Sequence, residues 1–161
     1  MPLIKNQKDL EKMLNSYLEK ALAQTQEIIY KTIDASINEY YSEYEPSLYK
    51  RSYKFLESLV QTDIIRKENI FTCEVKIDED YLTYKYPNTY LPNRTINIPA
   101  TGLDVVTWAN RDASAAGNHG YTVDAGREEG FWDIAIDELG DIPGLIKLFK
   151  ENLIKAGLPV K

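Results

Sequence analysis

The sequence predicts an α+β fold: a long N-terminal helix, an antiparallel β-hairpin in a small curved sheet flanked by helices, and a C-terminal helix pair. Three observations predict it. Apolar side chains recur at helical spacing from Leu10 to Tyr41, with neither proline nor glycine between residues 3 and 45. Residues 71–78 then alternate with period two, Phe71, Cys73, Val75 and Ile77 against Thr72, Glu74, Lys76 and Asp78. After Gly130 helical spacing returns, punctuated by Gly140 and Gly157. A chain of 161 residues, 43% hydrophobic and 27% charged, has the length and composition of one domain with its own core, here residues 1–161.

The first helix is expected from about Gln7 to about Tyr41, with Asn6 as its N-cap and Asp9 three residues on. At 1.5 Å per residue it reaches roughly 50 Å, beyond the span of a compact small domain, so part of it is expected to project without an intrachain partner. The apolar stripe thins at Gln24 to Gln26, where a break into two helices is the alternative. Pro46 presets the first turn of a second helix reaching about Val60, with Leu48, Phe55 and Leu59 beside Tyr49, Tyr53, Leu56 and Val60 as two apolar stripes. Asp78, Glu79 and Asp80 read as the turn of a hairpin over residues 70–87, with a less distinct strand over residues 62–66 before it. Residues 87–99 and 113–130 read as long loops, separated by a short helix that Thr101 caps and that carries Trp108. Phe131 to Leu139 and Asp141 to Ala156 read as the closing helices.

Charge narrows the function classes. The net charge of −6 is distributed as −1 over residues 1–66, −8 over residues 67–144 and +3 over residues 145–161. An acidic middle lacks the clustered lysine and arginine that release counterions from a phosphate backbone, so direct nucleic-acid binding is not expected. No apolar run approaches the roughly 20 residues of a membrane span, and the first residues lack the apolar segment of a signal peptide, so membrane association is not expected and synthesis inside the cell is. An acidic surface with a basic tail can dock on copies of itself or on a basic partner.

Catalytic and metal patterns are weak. His119 is the only histidine; Ser114 and Asp124 could be grouped with it, but no nucleophile elbow surrounds the serine. One histidine and one strand cysteine, Cys73, do not make a zinc site, the acidic turn at Asp78 lacks calcium-loop spacing, and Gly117 and Gly120 precede no phosphate-loop lysine. Cys73 reads as a small buried hydrophobe. Neither an enzymatic activity nor a metal or cofactor is expected. Large amphipathic rings dominate instead, in Tyr40-Tyr41-x-x-Tyr44-x-Pro46-x-x-Tyr49-x-Arg51 and around Asn118-His119-Gly120 and Gly130-Phe131-Trp132-Asp133. Such rings bury an apolar body while presenting a polar tip to a partner.

The order of these features resembles the head-tail joining, or tail-completion, proteins of long-tailed bacteriophages. The likeness spans about residues 35–157 and is carried by Tyr44-Glu45-Pro46-Ser47-Leu48-Tyr49-Lys50-Arg51 and by the passage from His119-Gly120 to Phe131-Trp132. It implies a virion protein of the neck, assembled in the host cytoplasm as a homo-oligomeric ring between connector and tail proteins. Tyr40, Tyr41, Tyr44, Trp108, His119, Glu128, Glu129, Phe131 and Trp132 are then the candidate partner-binding residues. The alternative class is a phage-encoded inhibitor of a host nucleic-acid-binding defence complex, with Glu128, Glu129, Asp133, Asp137, Glu138 and Asp141 standing where phosphates would lie.

Overall fold

A computed structural model describes residues 6–42, 53–82, 130–158 and 160. It is an α+β structure in which one long helix, α1 (Gln7–Ser42), is the spine. Asn6 caps it as the sequence predicts, its Oδ1 accepting the Asp9 backbone N–H at 2.9 Å. The helix does not break where its apolar stripe thins. Thr25 and Gln26 are buried there, and each meets a polar partner. The Thr25 hydroxyl donates to the Ala21 carbonyl at 2.8 Å and accepts from the Asn152 amide at 3.0 Å. The Gln26 amide donates to the carbonyls of Thr62 at 2.8 Å and Glu74 at 3.0 Å. Residues 6–12 are exposed, while the rest of the spine packs against the C-terminal helices and the strands.

The segment after Tyr53 departs from the expected helix. Tyr53 is left-handed (φ 56°), and α2 (Lys54–Glu57) is one turn long. Ser58 stops it: both its hydroxyl and its N–H donate to the Phe55 carbonyl, at 2.6 and 3.3 Å, a local bond that competes with continuing the helix. Val60, assigned to that helix by sequence, lies in β1 (Leu59–Gln61), which pairs antiparallel with β4 (Val75–Ile77).

Between them, β2 (Ile65–Lys67) pairs with β3 (Ile70–Thr72). The described hairpin therefore reverses at Glu68 and Asn69, with Glu68 at φ 55°, while the return strand expected after the acidic run lies, from residue 83 on, outside the described residues. Asp78 extends the β1–β4 ladder through its N–H to the Ser58 carbonyl at 2.7 Å. Residues 79–82 then coil in a helical turn that delivers Leu82, 3% exposed, to the core. Register explains why the first strand is indistinct in sequence. Gln61 opposes Val75 and Ile65 opposes Thr72, so residues 62–64 face only residues 73 and 74. This extra residue is a bulge that breaks the two-residue period on one strand and leaves it intact on the other.

Gln26 grips the ribbon at this bulge. Gln26→Ala is expected to cost about 1–3 kcal/mol, the penalty for leaving buried polar groups without a partner. Amide hydrogen exchange should quicken selectively at Gln61, Thr62 and Glu74 while the α1 amides distant from the site keep their protection.

The closing helices match the sequence reading, as α3 (Phe131–Leu139) and α4 (Asp141–Ala156). Gly140 (φ 73°) ends α3 and Gly157 (φ 108°) ends α4, where the Leu158 N–H returns to the Leu153 carbonyl at 2.9 Å. The core gathers Ile33 and Ile37 of α1, Phe55, Leu59, Leu82, and Phe131 and Ala135 of α3.

Candidate assembly surface

The sequence nominates nine partner-binding residues, and the structure separates them. Tyr41 is half-buried, its ring tilted against Tyr53 at 5.3 Å and Phe55 at 6.3 Å. Tyr40 lies in the last turn of α1, with its side chain outside the described residues, as are Tyr44, Trp108, His119, Glu128 and Glu129. The long loops and the serine, histidine and aspartate grouping lie outside them too. Phe131 requires a correction. It is 0% exposed and sits edge-to-face on Phe55 at 5.1 Å, so it anchors the core and offers no surface to a partner. Trp132, the next residue, packs edge-to-face on Phe131 at 6.2 Å but keeps a third of its surface open. One helical step turns neighbouring aromatics from core to surface.

Two apolar patches that the sequence does not single out are the conspicuous exposed features. The first is the hairpin tip, where every residue from Ile65 to Ile70 is exposed. The pleat and register put Ile65, Lys67, Ile70 and Thr72 on one face and Arg66 and Phe71 on the other. The Arg66 guanidinium lies 5.4 Å from the Phe71 ring centre, and its Nε donates to the Glu68 carbonyl at 2.8 Å. The second patch follows the bend between α3 and α4, where Ile142 is 72% and Ile146 52% exposed, one helical turn apart. A sequence signal for it exists: the apolar residues of α4 span more of its circumference than one neighbour covers, and Ile142, Ile146 and Ile154 fall outside the buried face.

The charged groups are structural or solvated. Asp133, Asp137, Glu138 and Asp141 are all exposed, and none forms an ion pair among the described residues. The Tyr81 hydroxyl donates to Glu57 at 2.6 Å, and that bond to a carboxylate raises its pKa. Cys73 is half-buried, and burial pushes its thiol pKa up, away from a reactive thiolate. Among the described residues no group of three or more histidine, cysteine or acidic side chains could hold a metal ion, and no helix is long and apolar enough to cross a membrane.

An α+β fold with an exposed hairpin and an acidic helix bend is the class the geometry defines. A family model described as YomN matches residues 6–155, and the chain belongs to that family. No curated protein and no solved structure matches it.

Proposed function

We propose that this chain is a non-enzymatic assembly protein of a bacteriophage virion, acting at the head-tail interface by binding connector and tail proteins. The head-tail placement rests on the likeness carried by residues 44–51 and by the passage from His119-Gly120 to Phe131-Trp132. The observation that carries assembly itself is the hairpin tip, a two-stranded ribbon exposed from Ile65 to Ile70 with two isoleucines on one face. A lone two-stranded ribbon is marginal in water, and burying one isoleucine is worth about 1.5–3 kcal/mol. A subunit that projects such a tip gains stability when a partner covers it.

The test is affinity capture of the tagged full chain from phage-producing cells, run in parallel with Ile65→Asn/Ile70→Asn. Connector or tail proteins should be recovered with the unmodified chain and depleted by about tenfold or more with the variant. Recovery of a host nucleic-acid-binding complex without virion proteins would overturn the proposal in favour of the acidic inhibitor, for which the exposed carboxylates of Asp133, Asp137, Glu138 and Asp141 are the best-placed surface.

A further inference from the structure

The two exposed apolar patches complement each other, and we infer that the β2–β3 hairpin of one copy docks on the α3–α4 bend of a second copy. The inference rests on the assembly reading and names a partner within it, another molecule of this chain. Each patch offers a pair of isoleucines, Ile65 with Ile70 and Ile142 with Ile146, and each pair is at least half exposed. Neither pair can cover itself.

The charges around them are of opposite sign where they would meet. Lys67 shares the face of Ile65 and Ile70, while Asp137, Glu138 and Asp141 lead into Ile142, with no ion pair among the described residues. Glu68 stands at the hairpin tip beside Lys67, and Lys147 follows Ile146 on α4, so the order of charges is matched at the second step as well. Lys150 and Glu151 lie farther along α4, beyond the isoleucine pair. Lys67 against the acidic bend and Glu68 against Lys147 fix one direction of docking. The reverse direction sets Glu68 against Asp137, Glu138 and Asp141, a like-charge arrangement that disfavours it.

The contact uses different surfaces on the two copies. It is heterologous, and the open assembly keeps one free hairpin at one end and one free bend at the other until it closes into a ring or continues as a filament. Arg66 lies off the isoleucine face and takes no part.

Site-directed cross-linking tests this with the full chain. In a Cys73→Ala background, Ile70→Cys copies mixed with Ile142→Cys copies are treated with a short bismaleimide. The mixture should give a covalent dimer, whereas either variant alone should give none. Adding Lys67→Glu to the Ile70→Cys copies should reduce the dimer by about fivefold, and adding Asp137→Lys with Glu138→Lys to the other copies should restore it. Ile70, Ile142, Lys67, Asp137 and Glu138 are all exposed, so circular dichroism should show the variants folded. A dimer from Ile70→Cys alone would overturn the inference in favour of a symmetric hairpin contact, and no dimer in the mixture up to the solubility limit would overturn it outright. Failure here leaves capture of virion proteins unaffected. Capture of a host complex alone would remove the virion reading and leave a positive cross-link standing.

Discussion

Phe131→Ala is expected to lower the unfolding free energy by about 3–5 kcal/mol, the cost of removing a fully buried aromatic side chain and leaving a cavity. The Phe131 ring is wholly enclosed, with Phe55 edge-on at 5.1 Å, and it joins α3 to the cluster made by Ile33 and Ile37 of α1 and by Leu59 and Leu82. Little near it can collapse into the space, because the neighbours come from three separate parts of the chain. Urea unfolding should show the loss as a lower midpoint at unchanged slope. Trp132→Ala is the control. That ring packs edge-to-face on Phe131 and is 37% exposed, so its removal should cost well under half as much and leave the fold intact. Equal effects, or a Phe131→Ala change within about 0.5 kcal/mol as at an ordinary surface site, would put Phe131 back among the partner-binding residues.

The contrast between these neighbours marks what a sequence can convey. Phe131 and Trp132 are both large rings at a helix start, and their local environments in the chain are the same; only the rotation of α3 against α1 separates them. The extent of α1 was legible because its N-cap, stripe and length are local properties. The burial of Thr25 and Gln26 was not, since their partners are Asn152 and the carbonyls of Thr62 and Glu74, supplied by distant segments. The period-two strand over residues 71–77 was legible, but its observed partner was not: the bulge at residues 62–64 obscured it, and the sequence paired that strand with residues 81–86 instead. The hairpin turn at Glu68 and Asn69 lacks glycine, whereas Asp78 to Asp80 has turn-like composition. The exposed isoleucines were hidden for a simpler reason: an apolar residue on a helix or strand reads as core until the neighbouring elements are in place.

Gly144→Ala tests the geometry of the α3–α4 bend by the sign of its effect. In an ordinary helix interior the change gains about 0.8–1.0 kcal/mol, because alanine loses less backbone entropy on folding than glycine. Gly144 sits in the first turn of α4, and its N–H donates to the Gly140 carbonyl at 2.7 Å. A β-carbon built on it runs into the backbone carbonyl of Leu139, the last residue of α3. Backbone cannot rotate aside as a flexible side chain does, so the bend must open. Overpacking of this kind costs about 1–3 kcal/mol, occasionally more, and against backbone the upper part of that range should prevail over the propensity gain. A lower melting temperature is therefore expected where helix propensity alone requires a higher one. The close approach has a local cause, since Gly140 and Asp141 both adopt left-handed conformations (φ 73° and 55°) and fold the start of α4 back onto the end of α3. That fold is also what sets Asp137, Glu138 and Asp141 beside Ile142. Opening it should weaken the cross-link between Ile70→Cys and Ile142→Cys copies along with stability. A rise in melting temperature with the cross-link unchanged would mean that α3 and α4 meet at a wider angle than the one described.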